Sequence, residues 1–143
     1  MTVIRTIAVG FDGSCDAEVA LRWAFNLATP LEADVVLVHA MGLLEHVNYH
    51  RRAIELETFA RRLSHQCQFN IEHLKWRLVD GDACSALARS AQPPISADML
   101  VVGSRGRGAH AGLLLGSTSL ELAEHCTIPL VVVPVTNRPT DPQ

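Results

Sequence analysis

Between Asp98 and Ser119 the chain reads D-M-L-V-V-G-S-R-G-R-G-A-H-A-G-L-L-L-G-S-T-S. The apolar run Met99 to Val102 gives way to a segment carrying Gly103, Gly106, Gly108 and Gly112, which ends on Gly116 and the hydroxyls of Ser117, Thr118 and Ser119. Glycines let backbone N–H groups converge with no Cβ in the way. Where a helix starts just beyond, its first turn adds unpaired N–H donors and the positive end of the helix dipole. Such a turn suits an anion, phosphate above all. Arg105 and Arg107 alternate with the glycines and add cationic charge. Ser117 and Ser119 add hydroxyl donors, whereas Thr118, three residues before Glu121, fits a capping box. A second candidate is Asp12 in the Asp12-Gly13-Ser14 break, where an aspartate before glycine also serves as an ordinary turn former. The chain has no G-x4-G-K-[ST], hence no lysine aimed at terminal phosphates, and no nucleophile–base pair accompanies the glycines. Binding, not fast turnover, is the chemistry this predicts.

These groups need strands to deliver them and helices to receive them. Val3 to Phe11 is rich in β-branched residues and reads as a strand, followed by a helix capped by Ser14 or Asp16. Ala17, Ala20, Leu21, Ala24, Leu27 and Ala28 recur at helical spacing, and Pro30 is expected to end that helix. Asp34 to Ala40 is a strand apolar on both faces, as in a parallel sheet covered on two sides. After a loop at Met41 to Glu45, a long helix is expected over 47–67, with Leu56, Phe59, Ala60, Leu63 and Cys67 inward and a charged, solvated face. His73 to Val79 alternates in part and reads as a half-exposed edge strand. Asp82 caps a short helix that closes at Pro93-Pro94; the glycine segment with its strand and helix follows, and Leu130 to Val133 is the last strand. The alternation β-α-β-α-β-α-β-α-β means a parallel sheet with right-handed crossovers. It is an open doubly wound α/β sheet of five strands, since a closed barrel would need eight units. His39, inside an apolar strand, reads as a hydrogen-bonded core histidine, His110 as a loop histidine, and Trp23 and Trp76 as packing residues.

At 143 residues one domain is expected, over 1–135, with 136–143 as a frayed tail. The formal net charge of −3 supplies no field to recruit nucleic acid. No apolar run is long enough for membrane insertion, and no basic-then-apolar leader is visible. The cysteines Cys15, Cys67, Cys84 and Cys126 are scattered without CxxC, so neither a disulfide framework nor a metal site is expected, and a cytoplasmic chain with reduced thiols is the simple reading.

Gly103, Gly106, Gly116 and Ser117 have the spacing G-x2-G-x9-G-[ST], which resembles the nucleotide-binding signature of the universal stress protein family, ATP-binding type. The resemblance extends to V-G-F-D-G-S at Val9 to Ser14 and P-L-V-V-V-P at Pro129 to Pro134. It implies strand order 3-2-1-4-5, which puts the first and fourth strands side by side at the topological switch point, where ligands bind outside the carboxyl ends of strands. It also implies an adenine nucleotide as guest: ATP foremost, with AMP or cyclic AMP as alternatives, and Mg²⁺ carried on the phosphates. By position, Gly10, Phe11 and Asp12 stand by the nucleoside, with Ala40 and Val102 as apolar residues near the base. Gly103, Arg105, Gly106, Gly116, Ser117, Thr118 and Ser119 form the ribose and phosphate cradle. Phe11 departs toward bulk beside that pocket. The implied role is a stress-response sensor or regulatory module, at most with slow ATP hydrolysis or phosphorylation of a hydroxyl such as Ser117. A homodimer is implied through Leu130 to Val133. Two other readings stand beside it: a nucleotide-independent dimeric interaction module with a vestigial site, and an enzyme of the related fold class attacking the α-phosphate of ATP. Those enzymes carry S-G-G-x-D-S where this chain has G-F-D-G-S.

Overall fold

Three of the five strands are rich in valine, isoleucine, leucine and alanine and alternate their side chains between two buried faces, and the last, Leu130–Val133, is half-buried. The computed structural model describes residues 3–42, 48–104 and 116–134. Strands β1 (Thr6–Gly10), β2 (Asp34–Met41), β3 (Leu74–Asp80), β4 (Met99–Gly103) and β5 (Leu130–Val133) form one parallel sheet in the order β3-β2-β1-β4-β5. Helices α1 (Cys15–Leu31), α2 (Tyr49–Gln66), α3 (Ala83–Ala88) and α4 (Ser117–His125) connect them, with single 3-10 turns at Ile71–His73 and Arg89–Ala91. This is the expected open doubly wound α/β architecture.

The two faces separate cleanly. Ile7, Val9, Val35, Leu37 and Val101 turn toward α1 and α2, where Ala20, Leu21, Ala24, Phe25, Leu56, Ala60 and Leu63 meet them. Ala8, Val36, Val38, Leu100 and Val102 turn the other way, against Leu87 of α3 and Leu122 of α4. Phe25 stacks on Phe69 with ring centroids 4.4 Å apart, which seats the chain leaving α2 back against α1. Alanines along α1 let that helix lie close to the sheet centre. At the edge, β3 carries exposed Lys75 and Arg77 beside half-buried Trp76, over which Arg61 stacks at 5.2 Å from the ring centroid.

Two helix boundaries differ from the sequence expectation. α1 does not stop at Pro30 but runs on to Leu31. Proline in a last turn forfeits only one helical bond, and the end is fixed by Glu32 in the left-handed region (φ 52°) with Glu32 and Ala33 N–H groups donating to Thr29 and Ala28 carbonyls. α2 spans Tyr49–Gln66, inside the predicted range. α4 begins at Ser117 with Gly116 at its N-cap, so Thr118 lies in the first turn and forms no capping box. The Gly116 N–H donates to the Ser104 carbonyl at 2.7 Å, and that bond sets the helix start ahead of Thr118.

Candidate functional site

Parallel pairing of β1 with β4 (Ile7↔Met99, Ala8↔Leu100, Val9↔Val101) makes the turns after these strands neighbours at one end of the sheet. After β1, Asp12 Oδ1 accepts the Ser14 N–H at 2.9 Å, and Gly13, at φ 84°, takes a conformation that side chains rarely adopt. Ser14 then caps α1, its Oγ accepting from Ala17 N–H at 3.2 Å. Of the two capping candidates, Ser14 is the cap, and Asp16 is buried in the first turn.

After β4, Gly103 lies directly on that first turn. A Cβ at Gly103 would sit 2.7 Å from the backbone C and O of Asp16, so glycine here serves the approach of two backbones. The next residue, Ser104, gathers three neighbours. Its N–H donates to Val133 O at 3.1 Å, its carbonyl accepts from Gly116, and its Oγ donates to Asp16 Oδ2 at 3.2 Å. Ser119 Oγ donates to Gly103 O at 3.1 Å. Gly103, Gly116 and Ser119 are thus joined by these bonds, with Ser117 and Thr118 following in α4, while Asp12 stands in the turn that leads from β1 into α1. Ser117 is exposed and Thr118 half-buried, at the end of a nine-residue helix whose dipole points its positive end outward. Arg105 and Gly106, along with Arg107, Gly108, His110 and Gly112, lie outside the described residues.

Three of the residues expected near the nucleoside and base pack against protein neighbours. Gly10 faces α3, where a Cβ would meet Leu87 Cδ1 at 2.8 Å and Val102 Cγ1 at 3.2 Å. Val102 is buried in the same α3–α4 core, and Ala40 is half-buried in β2 between His39 and Met41. An open cleft of about 180 Å³ forms on the α2 side, lined by Phe11, Asp12, Gly13, His39, Arg52, Glu55, Leu56 and Phe59. Phe11 stacks on Phe59 with centroids 4.3 Å apart, so the bulk expected beside the pocket becomes part of its wall. His39 Nδ1 is 2.8 Å from the Phe11 carbonyl, which requires that nitrogen to carry the proton. The hydrogen bond is as the sequence predicts, but His39 is half-buried at the cleft and not in the core. Sequence reasoning missed Asp16, Ser104 and the α2 wall. Asp16 carried a signal, being a carboxylate in phase with the Ala20, Ala24, Ala28 stripe.

Two shifted groups bear on reactivity. The Asp82 carboxyl, which accepts the backbone N–H and the hydroxyl of Ser85 at 2.9 Å each, is held below the usual carboxylate range. Burial, with the Glu121 carboxylate beside it, pushes the Cys84 thiol up. Cys84 is therefore no activated nucleophile. All four cysteines are free thiols. No three metal-ligating side chains cluster among the described residues, and no described helix is long and apolar enough to cross a membrane.

Residues 4–134 match the model of the universal stress protein family. The chain belongs to the universal stress protein family. It is 29% identical over 134 residues to universal stress protein Rv2623 of Mycobacterium tuberculosis, covering 88% of this chain and 44% of that protein, so it spans less than half of that relative's length. Solved universal stress protein folds superpose well on it. One, determined in complex with cAMP, gives a TM-score of 0.71 at 24% identity, covering 94% of this chain and all of the other. Another, from Archaeoglobus fulgidus in complex with dAMP, gives 0.70 at 18% identity, covering 92% and 99%. At such identities the likeness establishes the fold.

Proposed function

We propose that this universal stress protein binds an adenine nucleotide, ATP foremost, across the adjoining ends of β1 and β4. One observation carries the reading. Gly103 lies in backbone contact with the first turn of α1, and Ser104 holds Gly116, which supports a reading in which the Asp12 turn and the start of α4 serve one ligand. Ser117 and Thr118 present amides and hydroxyls for phosphates, and Asp12 presents a carboxylate to the nucleoside. The cAMP and dAMP found on two structural neighbours belong to the same ligand class. Mg²⁺, where it takes part, rides on the phosphates, which would supply its ligands along with water. The protein's own residues orient and shield the nucleotide. Ser117, exposed at the helix start, is the hydroxyl placed for slow phosphorylation. The role that follows is a stress-response sensor or regulatory module in the cytoplasm, paired through β5, whose half-buried Leu130, Val131 and Val132 form an apolar sheet edge.

A second reading, a dimeric module with a vestigial site, draws on the internal use of the Gly116 N–H and the Ser119 hydroxyl. Thermal melting separates the two. Under the nucleotide reading, ATP at 100 times its Kd adds about 2.7 kcal/mol of stability, and Asp12→Ala or Gly116→Val abolishes the rise. An unchanged melting temperature at millimolar ATP with Mg²⁺ favours the vestigial site.

A further inference from the structure

A carboxyl side chain is out of place on the inner stripe of α1. Asp16 is only 7% exposed, in the first turn of a helix whose other inward residues are Ala17, Ala20, Leu21, Ala24, Phe25 and Ala28. Burying such a group is unfavourable unless it is hydrogen-bonded. It receives the hydroxyl of Ser104, itself 3% exposed, at 3.2 Å. Ser104 in turn accepts the N–H of Gly116 at 2.7 Å. The line Asp16, Ser104, Gly116 therefore runs from the start of α1 to the start of α4. The neighbouring bond from Ser119 Oγ to Gly103 O clamps α4 to the same two residues at the end of β4.

We infer that Asp16 is a positioning residue for phosphate recognition: through Ser104 it fixes where the first amides of α4 point, without touching the nucleotide. This rests on the adenylate reading above. Gly116 has no side chain to lock the helix start by packing, so the bond to Ser104 orients it. Amides that converge on a phosphate must be held to within about 0.5 Å to be effective. A side chain tied through Ser104 to the helix start acts on phosphate-bearing ligands. What this role needs is an acceptor for the Ser104 hydroxyl, since a negative charge by itself opposes phosphate.

The test compares wild type with Asp16→Ala, Asp16→Asn, Ser104→Ala and the Asp16→Ala/Ser104→Ala pair. Affinity for ATP and for adenosine is read by displacement of a fluorescent ATP analogue, and melting without ligand reports folding. Loss of one such bond predicts ATP affinity about tenfold weaker in Asp16→Ala and Ser104→Ala, with adenosine affinity unchanged. Asp16→Asn, which keeps an oxygen acceptor for Ser104, restores ATP binding, and the double variant is no weaker than either single one. If Asp16→Ala does not fold, Ser104→Ala and Asp16→Asn carry the comparison. Wild-type protein that binds no ATP overturns the adenylate reading and this inference with it. Wild-type binding with ATP and adenosine weakened alike, with neither weakened, or with Asp16→Asn as impaired as Asp16→Ala, overturns the inference alone.

Discussion

Gly103 shows how one residue type serves two masters. Its place in G-x2-G-x9-G-[ST] points to a ligand, yet the space its missing Cβ would need is filled by the backbone of Asp16 at 2.7 Å. Backbone yields less than a flexible side chain, so Gly103→Ala should destabilise the fold by about 2 kcal/mol, read by urea unfolding with an unchanged m-value. Gly10 offers the contrast, since the atoms a Cβ would meet belong to the side chains of Leu87 and Val102. Sequence located these glycines but not the reason for them, because spacing does not say which neighbour comes close. For the same reason Ser119 was expected among phosphate donors, whereas its hydroxyl reaches the Gly103 carbonyl.

Pairs of elements are joined by polar ties as well as by apolar faces. Asp34, at the start of β2, accepts from His73 Nδ1 at 2.8 Å and Lys75 Nζ at 3.4 Å, linking β2 to the entry of β3. Partial burial pulls the Asp34 carboxyl upward, but the hydrogen bonds and charges of His73 and Lys75 outweigh it and leave the group below its ordinary value of 3.8. A carboxylate whose folded value is depressed contributes stability that is present above the unfolded value and lost as pH falls through the folded one. Acid melts should therefore show wild type losing more stability than Asp34→Asn as pH drops from about 5 to below 3.8; parallel profiles would contradict this tie. Element order was legible because hydrophobic period and breakers repeat along the chain: Asp82 does cap α3, and β3 is an edge strand. Boundaries set by tertiary bonds were not. The start of α4 depends on Ser104, and the end of α1 on Glu32 adopting a conformation that sequence does not announce.

Over the whole molecule, an alternating α/β chain leaves one crevice where connections diverge to opposite sides of the sheet, between β1 and β4. The strand order itself was implied by family resemblance and is what the structure has. The cleft beside Asp12 was harder to foresee. Arg52, Glu55, Leu56 and Phe59 come from α2, more than thirty residues from Asp12, and nothing in the local pattern of that helix marks a cleft. The central claim is that the turns after β1 and β4 take hold of one adenylate together. Titrating ATP with Mg²⁺ into isotopically labelled protein, and following backbone amides by NMR, tests it most directly. The account predicts that Asp12, Gly13, Ser117 and Thr118 shift along a single saturating curve, with the β3 edge unmoved. Shifts confined to one of the two turns, or none at millimolar ATP, would contradict it.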